Sequence, residues 1–390
     1  MLVPADFFRG TFSIMFSVFR QFRRWTLRGM LFGLFAVLAS SSVRAEEEKI
    51  LNVSNWSEYI AEKTVRKFEA ESGIKVRYDN FDSNEALLAK MIAGRSGYDI
   101  VVPSADFGRI MIDGKLVRRL DKVALSNWAN LDPDMLRLLA KLDPGNDYLV
   151  PWLGGSVTVA YNEDKVKAAL GGTPIPANPF ELLFNPAYAS KLARCGISLL
   201  DMASDVFPSV LIYLGKNPYS ANPADYAAAA AQLQKVRPFI GLFNSLEYIN
   251  DMASGSLCVA MGYSGAFNSA RAKSAEARNK VNIATPLPPG GMAFGFDTML
   301  IPADAPHPQN ALKWINFILR ADIAAEIANE VMCTSPNRAA RKFIRADLLN
   351  DPMTFPPEDY LKNKEFFYEL RSNETRRVMT RLLSKLKTGT

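Results

Sequence analysis

Between residues 50 and 103 the sequence passes twice from an apolar strand pattern to a helical one and back. That alternation constrains the fold more than any other feature. Residues 50–53 read as a strand, and Glu62–Ser72 as a helix with Val65 and Phe68 inward and Gly73 as its stop. Residues 74–78 are the next strand. Asp82-Ser83-Asn84-Glu85 has capping-box spacing and opens a helix with Leu87, Leu88, Met91 and Ile92 on its buried side, closed by Gly94. Residues 98–103 (YDIVVP) are a continuous apolar run, as in a parallel strand covered on both faces. Right-handed crossovers turn this βαβαβ unit into an open parallel sheet, and the fold class is α/β.

The pattern is interrupted three times further on. After Pro151-Trp152-Leu153-Gly154-Gly155 a strand over 157–161 begins a new unit. Helical patterns follow at 204–214, 224–236 and 264–277, with Val259–Tyr263 as another apolar strand. Pro286-Leu287-Pro288-Pro289-Gly290-Gly291 breaks the pattern again, before a strand at 296–301 and an amphipathic helix at 310–327. The third break falls near Cys333-Thr334-Ser335-Pro336. Three interruptions in an α/β chain imply two lobes joined by crossing strands, with a ligand cleft between them. The division expected is 46–153 plus 286–328 for one lobe, and 154–285 plus 329–390 for the other.

The formal charge of +6 comes mostly from one end. Residues 1–45 carry six arginines and one acid, Asp6; the rest of the chain keeps 40 basic and 39 acidic side chains. The balance therefore gives no reason to expect a nucleic-acid partner. Arg23, Arg24 and Arg28 precede an apolar run over 30–39, too short to span a bilayer with ease. Small residues then lead to Val43-Arg44-Ala45 before Glu46-Glu47-Glu48, so residues 1–45 read as a signal peptide cleaved after Ala45. In an exported chain two of Cys195, Cys258 and Cys333 can pair, and the residues alone leave open which two. The single histidine, His307, lies between prolines, which argues against a histidine metal site or a histidine general base. No cofactor is expected.

Asn55-Trp56-Ser57-Glu58-Tyr59-Ile60 follows the first strand, where open α/β sheets bind ligands. Its aromatic faces, hydroxyl and carboxylate suit an ammonium ion. Trp56 and Tyr59 serve equally well as core residues, and Ser57 and Ser104 as helix caps.

Long stretches carry a resemblance. NWSEYI (55–60), FEAESGIKVRYDNFDSNEALLAKMIAG (68–94), YDIVVPSADF (98–107), LGKNP (214–218), YINDMASGSLCVAMGY (248–263) and FDTMLIPADA (296–305) make residues 50–389 resemble the periplasmic polyamine-binding proteins of ABC transporters, the putrescine-binding branch above all. The resemblance implies a two-lobed type II periplasmic binding fold, a monomer that closes on a small cationic amine, and delivery to an inner-membrane permease. It implies a Cys195–Cys258 disulfide with Cys333 free. Trp56, Ser57 and Tyr59 match the first wall of the family's box, with Glu58 beside them. Ser104 matches a hydroxyl after the YDIVVP strand, Asp205 a carboxylate opening a second-lobe helix, Tyr263 an aromatic wall, and Asp297 the acid that grips an amine. Asp201, one turn before Asp205, reads as a helix cap.

The departures matter too. Ala266 stands where the putrescine binders place an acid, Gly295 where they place an aromatic ring, and Cys333 where they place a tyrosine. Phe294 or Phe296 is expected to fill the space at Gly295, and Glu58 or Glu247 to restore the carboxylate. The chain thus reads as the periplasmic binding component of an importer for putrescine, spermidine or another cationic amine. The rival readings are a sensor or interaction protein on the same fold, a metal carrier, and a two-carboxylate glycosidase. No residue pattern supports the last two. Arg371, Arg376, Arg377, Lys385 and Lys387 read as a solvated basic face of a C-terminal helix.

Overall fold

A computed structural model of the protein describes residues 47–369 and 371–389. The expected signal peptide, residues 1–45, lies outside the described residues. Strands β1 (Ile50–Trp56), β2 (Lys75–Phe81) and β3 (Ile100–Val101) form a parallel sheet in the order β2-β1-β3. Helices α1 (Glu62–Ser72) and α2 (Asn84–Ala93) make its crossovers. Gly73 ends α1 at φ 68°, a left-handed conformation that costs glycine little.

Local readings shift where tertiary contacts decide. The first strand runs on to Trp56, because Asn55 and Trp56 pair with Asn80 and Phe81. Ser83, not Asp82, caps α2, its hydroxyl accepting from the Ala86 N–H at 3.2 Å. Ile92 is exposed rather than buried; Leu87 and Met91 face the core from that helix, with Leu88 half-buried beside them. Residues 98–103 are all buried, but only Ile100 and Val101 are regular strand. Helix α3 (Ala105–Asp113) follows.

The larger sheet has seven strands. Strand β4 (Val150–Asn162) pairs antiparallel with β7 (Val259–Tyr263) and with β9 (Met292–Met299). Strands β5 (Ile197–Leu199), β6 (Leu242–Phe243), β8 (Ile283–Ala284) and β10 (Glu365–Phe367) complete it. Helices α4 (Ala203–Tyr213), α5 (Pro223–Val236) and α6 (Ser264–Glu276) pack around it. The two sheets meet through isolated bridges, among them Val101 with Leu300 and Ser104 with Asp297.

The two largest of four apolar clusters among the described residues lie beside the two sheets. One gathers Val159, Phe180, Phe207, Leu211 and Phe267 beside the larger sheet; the other gathers Leu51, Phe68, Ile100 and Trp314 around the smaller one. The helix expected over 310–327 is two helices, α7 (Pro308–Ile318) and α8 (Ala321–Val331). The break has a cause. The Leu319 carbonyl accepts from the side-chain amides of Asn130 (3.0 Å) and Asn337 (2.8 Å), while extended Arg320 pairs with Asp322 and Glu71. The basic C-terminal helix α9 (Asn373–Thr388) begins after Arg371, which lies outside it.

Cys195 and Cys258 are bonded, with Cα atoms 5.4 Å apart, and Cys333 is free. The bond closes a loop of 63 residues and pins β5 to β7. A Cys195→Ala/Cys258→Ala double variant is expected to lose about 4 kcal/mol of stability by loop-closure entropy. A urea midpoint unchanged from the oxidised protein would refute this.

Candidate functional site

Three strand ends and two helix starts converge on one place. Trp56 ends β1, Tyr263 ends β7, and Asp297 lies near the end of β9. Ser104 immediately precedes α3, and Asp205 is in the first turn of α4.

Asp297 is the centre of one cluster. The Tyr59 phenol interacts with its carboxylate, and the Trp56 indole lies close enough to steady its charge. The indole N–H is buried and lies on the Asp297 side, but no described residue meets it at full hydrogen-bond geometry. The Trp56 ring leans on Phe81, centroids 4.4 Å apart. Burial pushes the Asp297 carboxyl up to about 7; Tyr59 and Trp56 oppose the rise, and the negative charges of Asp106 and Asp205 add to it. Burial, then Asp297 and Cys333, hold the Tyr59 phenol well above its ordinary range. The Cys333 thiol is pushed up to about 12 by burial and by Asp297. It is therefore a small neutral wall, not a nucleophile. A Cβ on Gly265, at the start of α6, would overlap its sulfur, so the thiol fits against a glycine.

Asp205 is the centre of a second cluster. It is 4% exposed, and its two carboxylate oxygens accept from the Tyr263 hydroxyl (2.8 Å) and the Tyr368 hydroxyl (2.9 Å). Burial raises its carboxyl, opposed by those two hydrogen bonds and by the charge of Arg371. Arg371 also donates to the Ser204 carbonyl (3.3 Å) and lies over the Tyr219 ring at 4.9 Å. It is turned inward, which corrects its reading as part of a solvated face: Ser372 caps α9 with its hydroxyl, and the chain bends before that cap.

Other expectations are corrected in the same way. Phe294 and Phe296 do not fill the space beside Gly295; both are buried and pack on each other at 5.0 Å. Tyr368 occupies it instead, since a Cβ on Gly295 would stand 2.6 Å from its ring. No local pattern ties residue 368 to residue 295, so this contact has no signal in the sequence. Ser57 and Glu58 are exposed on the turn after β1, with Glu58 at φ 53°. Glu247 is exposed too and accepts from Asn244 at 2.9 Å. Asp201 does not cap α4 but pairs with Lys387 at 2.6 Å. Ser104 caps nothing with its side chain; its hydroxyl accepts from the Asn84 amide at 2.7 Å.

One acidic residue of the site escaped the sequence reading. Asp106, two positions after Ser104, is 8% exposed, and its charge reaches Asp297, Asp205 and Tyr219. The available signal was an acid two residues past Ser104, in a first helical turn where acids are common for other reasons. Among the described residues no group of histidine, cysteine or acidic side chains is arranged to hold a metal ion.

Known proteins share this architecture. Residues 63–346 match the family described as bacterial extracellular solute-binding protein. The chain is 41% identical over 360 residues to the putrescine-binding periplasmic protein SpuD of Pseudomonas aeruginosa, covering 91% of this chain and 98% of that one. It is also 41% identical over 369 residues to the putrescine-binding periplasmic protein PotF of Escherichia coli, covering 94% and 98%. The solved spermidine/putrescine ABC transporter substrate-binding protein PotD of Streptococcus pneumoniae superposes with a TM-score of 0.74 at 26% identity, over 87% of this chain and 98% of that one. Its type of fold, two lobes of open sheets flanked by helices, is the fold of this chain.

The Asp205 cluster predicts a measurable cost. Tyr368→Phe removes one donor from a buried carboxylate and is expected to cost about 1–3 kcal/mol at neutral pH. The donor favours the charged form, so the cost shrinks as Asp205 protonates on acidification. Equal losses at pH 8 and pH 4 in urea unfolding would refute the assignment.

Proposed function

The chain belongs to the bacterial extracellular solute-binding protein family, and we propose that it serves as the periplasmic binding component of an ABC importer for a polyamine such as putrescine or spermidine. The observation that carries this is the Asp297 carboxylate, enclosed by Trp56 and Tyr59 at the strand ends. An ammonium group sheds its water only where a carboxylate replaces it, and the methylene chain of a polyamine prefers aromatic walls. Tyr59, Tyr263 and Tyr368 supply such walls beside the acids, with Ser104 at the edge.

The lobes proposed are 46–153 with 286–328, and 154–285 with 329–390; the two largest apolar clusters support a division of this kind, and a third joins Leu87 and Met111 to Phe367 across it. Ala340, Ile344 and Leu348 pack on α8, which draws the stretch around them toward the first lobe. Closure of the lobes would exclude water and strengthen each charge pair. The partners are then the amine and a membrane permease; the protein acts as a monomer, binds no nucleic acid and performs no chemistry. Its place is the periplasm, as for the relatives named above.

Titration calorimetry on protein unfolded and refolded to strip bound solute tests the reading. Putrescine, spermidine or agmatine should bind with micromolar or tighter affinity. Asp297→Asn should weaken that binding by two to three decades, in line with about 2–5 kcal/mol for a buried charge left unpaired. Binding of neutral or anionic solutes alone would overturn the function.

The pH dependence follows from the same carboxyl. Asp297 must be ionised to hold an ammonium group, and in the free protein it is half protonated near pH 7. Amine affinity should fall about tenfold per unit as the pH drops below 7, and binding at neutral pH should release a proton into the buffer. Binding enthalpies that do not vary with buffer ionisation would contradict this.

A further inference from the structure

We propose that Asp106 is a second ammonium anchor of this site, taking over from the acid that Ala266 lacks and selecting a diamine over a monoamine. This rests on the amine-binding reading above. Its warrant is an accounting of buried carboxylates. Asp99, Asp132, Asp143 and Asp205 are also buried, and each has donors. Asp99 accepts from the Asn52 and His307 N–H groups, Asp132 from the Asp134 N–H and Arg341, Asp143 from the Tyr148 and Leu149 N–H groups, and Asp205 from two tyrosines. Asp106, 8% exposed, has no hydrogen bond and no ion pair with another described residue, and neither of its oxygens is sealed from solvent.

A largely buried carboxylate without a donor gains from a bound cation what its paired neighbours already have. Its place in the first turn of α3 gives it some support through the helix dipole. A cation held directly against it is the stronger partner. The position fits such a cation. Ser104, two residues earlier, is bridged to Asp297, which brings the start of α3 against the end of β9. Phe107, the next residue, has the Arg376 guanidinium 5.7 Å from its ring, so the start of α3 also meets the segment carrying Arg371.

Charge balance points the same way. Asp106, Asp205 and Asp297 are three acids, and the charge of Arg371 acts on Asp205. With all four ionised, two negative charges remain, the complement of a dication. Asp205 is already satisfied by Tyr263, Tyr368 and Arg371, which leaves Asp297 and Asp106 to receive the two ammonium groups.

Asp106→Asn decides it, with calorimetry against putrescine and against butylamine, which has the same carbon chain and one ammonium group. Putrescine affinity should drop at least about 100-fold and butylamine affinity less than about 3-fold. The ligand-free variant should also melt at a higher temperature than the parent, because an unpaired buried charge has been removed. Equal weakening of both amines, unchanged putrescine binding, or a lower ligand-free melting temperature would each overturn the assignment. If the parent binds putrescine and Asp297→Asn abolishes it while Asp106→Asn does not, only this inference fails. If the parent binds no amine, the functional reading fails with it.

Discussion

The antiparallel pairing of β4 with β9 is the constraint on which the rest of the molecule depends. It runs from Val150 opposite Met299 to Val157 opposite Ala293, with an irregularity between Pro151 and Gly154. Both strands belong to the larger sheet, yet the end of β9 and the residues after it also bridge the smaller one at Ser104 and Val101. Gly154 is where the pairing is tightest. A Cβ there would come within 2.8 Å of the Phe296 ring, and its N–H donates to the Thr334 carbonyl at 2.8 Å. Three passages of the chain therefore meet at one glycine, and Asp297 is fixed one residue past Phe296. A bulkier residue at 154 would displace the carboxylate along with the crossing.

Around that fixed point, the energetics of buried charge sorts the acids by role. Asp205 has both oxygens bonded to tyrosines and a guanidinium nearby, so it is held whether or not a solute is present. Asp297 has softer support from Tyr59 and Trp56, and burial keeps it near its titration point at neutral pH. Asp106 has no donor among the described residues and is 8% exposed. Unequal satisfaction of neighbouring acids is a source of selectivity, since a group already paired gains little from a ligand and an unpaired one gains much. Cys333, Gly265 and Gly295 set the space between them: the thiol sits against one glycine, and the Tyr368 ring lies over the other.

Much of the fold was legible because its signals are local. The bounds of α1 and β7 follow from capping glycine and apolar run, and the βαβαβ unit forms a parallel sheet as its alternation required. Trp56, Tyr59, Ser104, Asp205, Tyr263 and Asp297 were marked in advance, and the structure brings them to the two clusters. What failed did so where distant groups decide. Two asparagine amides split one apparent helix at Leu319, and a ring from residue 368 replaced the one expected at residue 295. Ser57 and Glu58, inside the most conspicuous motif, turned out to face water.

The sequence by itself determined the order of strands and helices, the family, and the strand ends at which a ligand would meet aromatic and acidic side chains. Periodicity, caps and long motifs are written in neighbouring residues, and so they survive without the fold. The tertiary structure alone decided which acids are paired and which are not. Whether a carboxylate finds a donor depends on residues far away in the chain: two tyrosines and Arg371 are brought to Asp205, and no tyrosine is brought to Asp106.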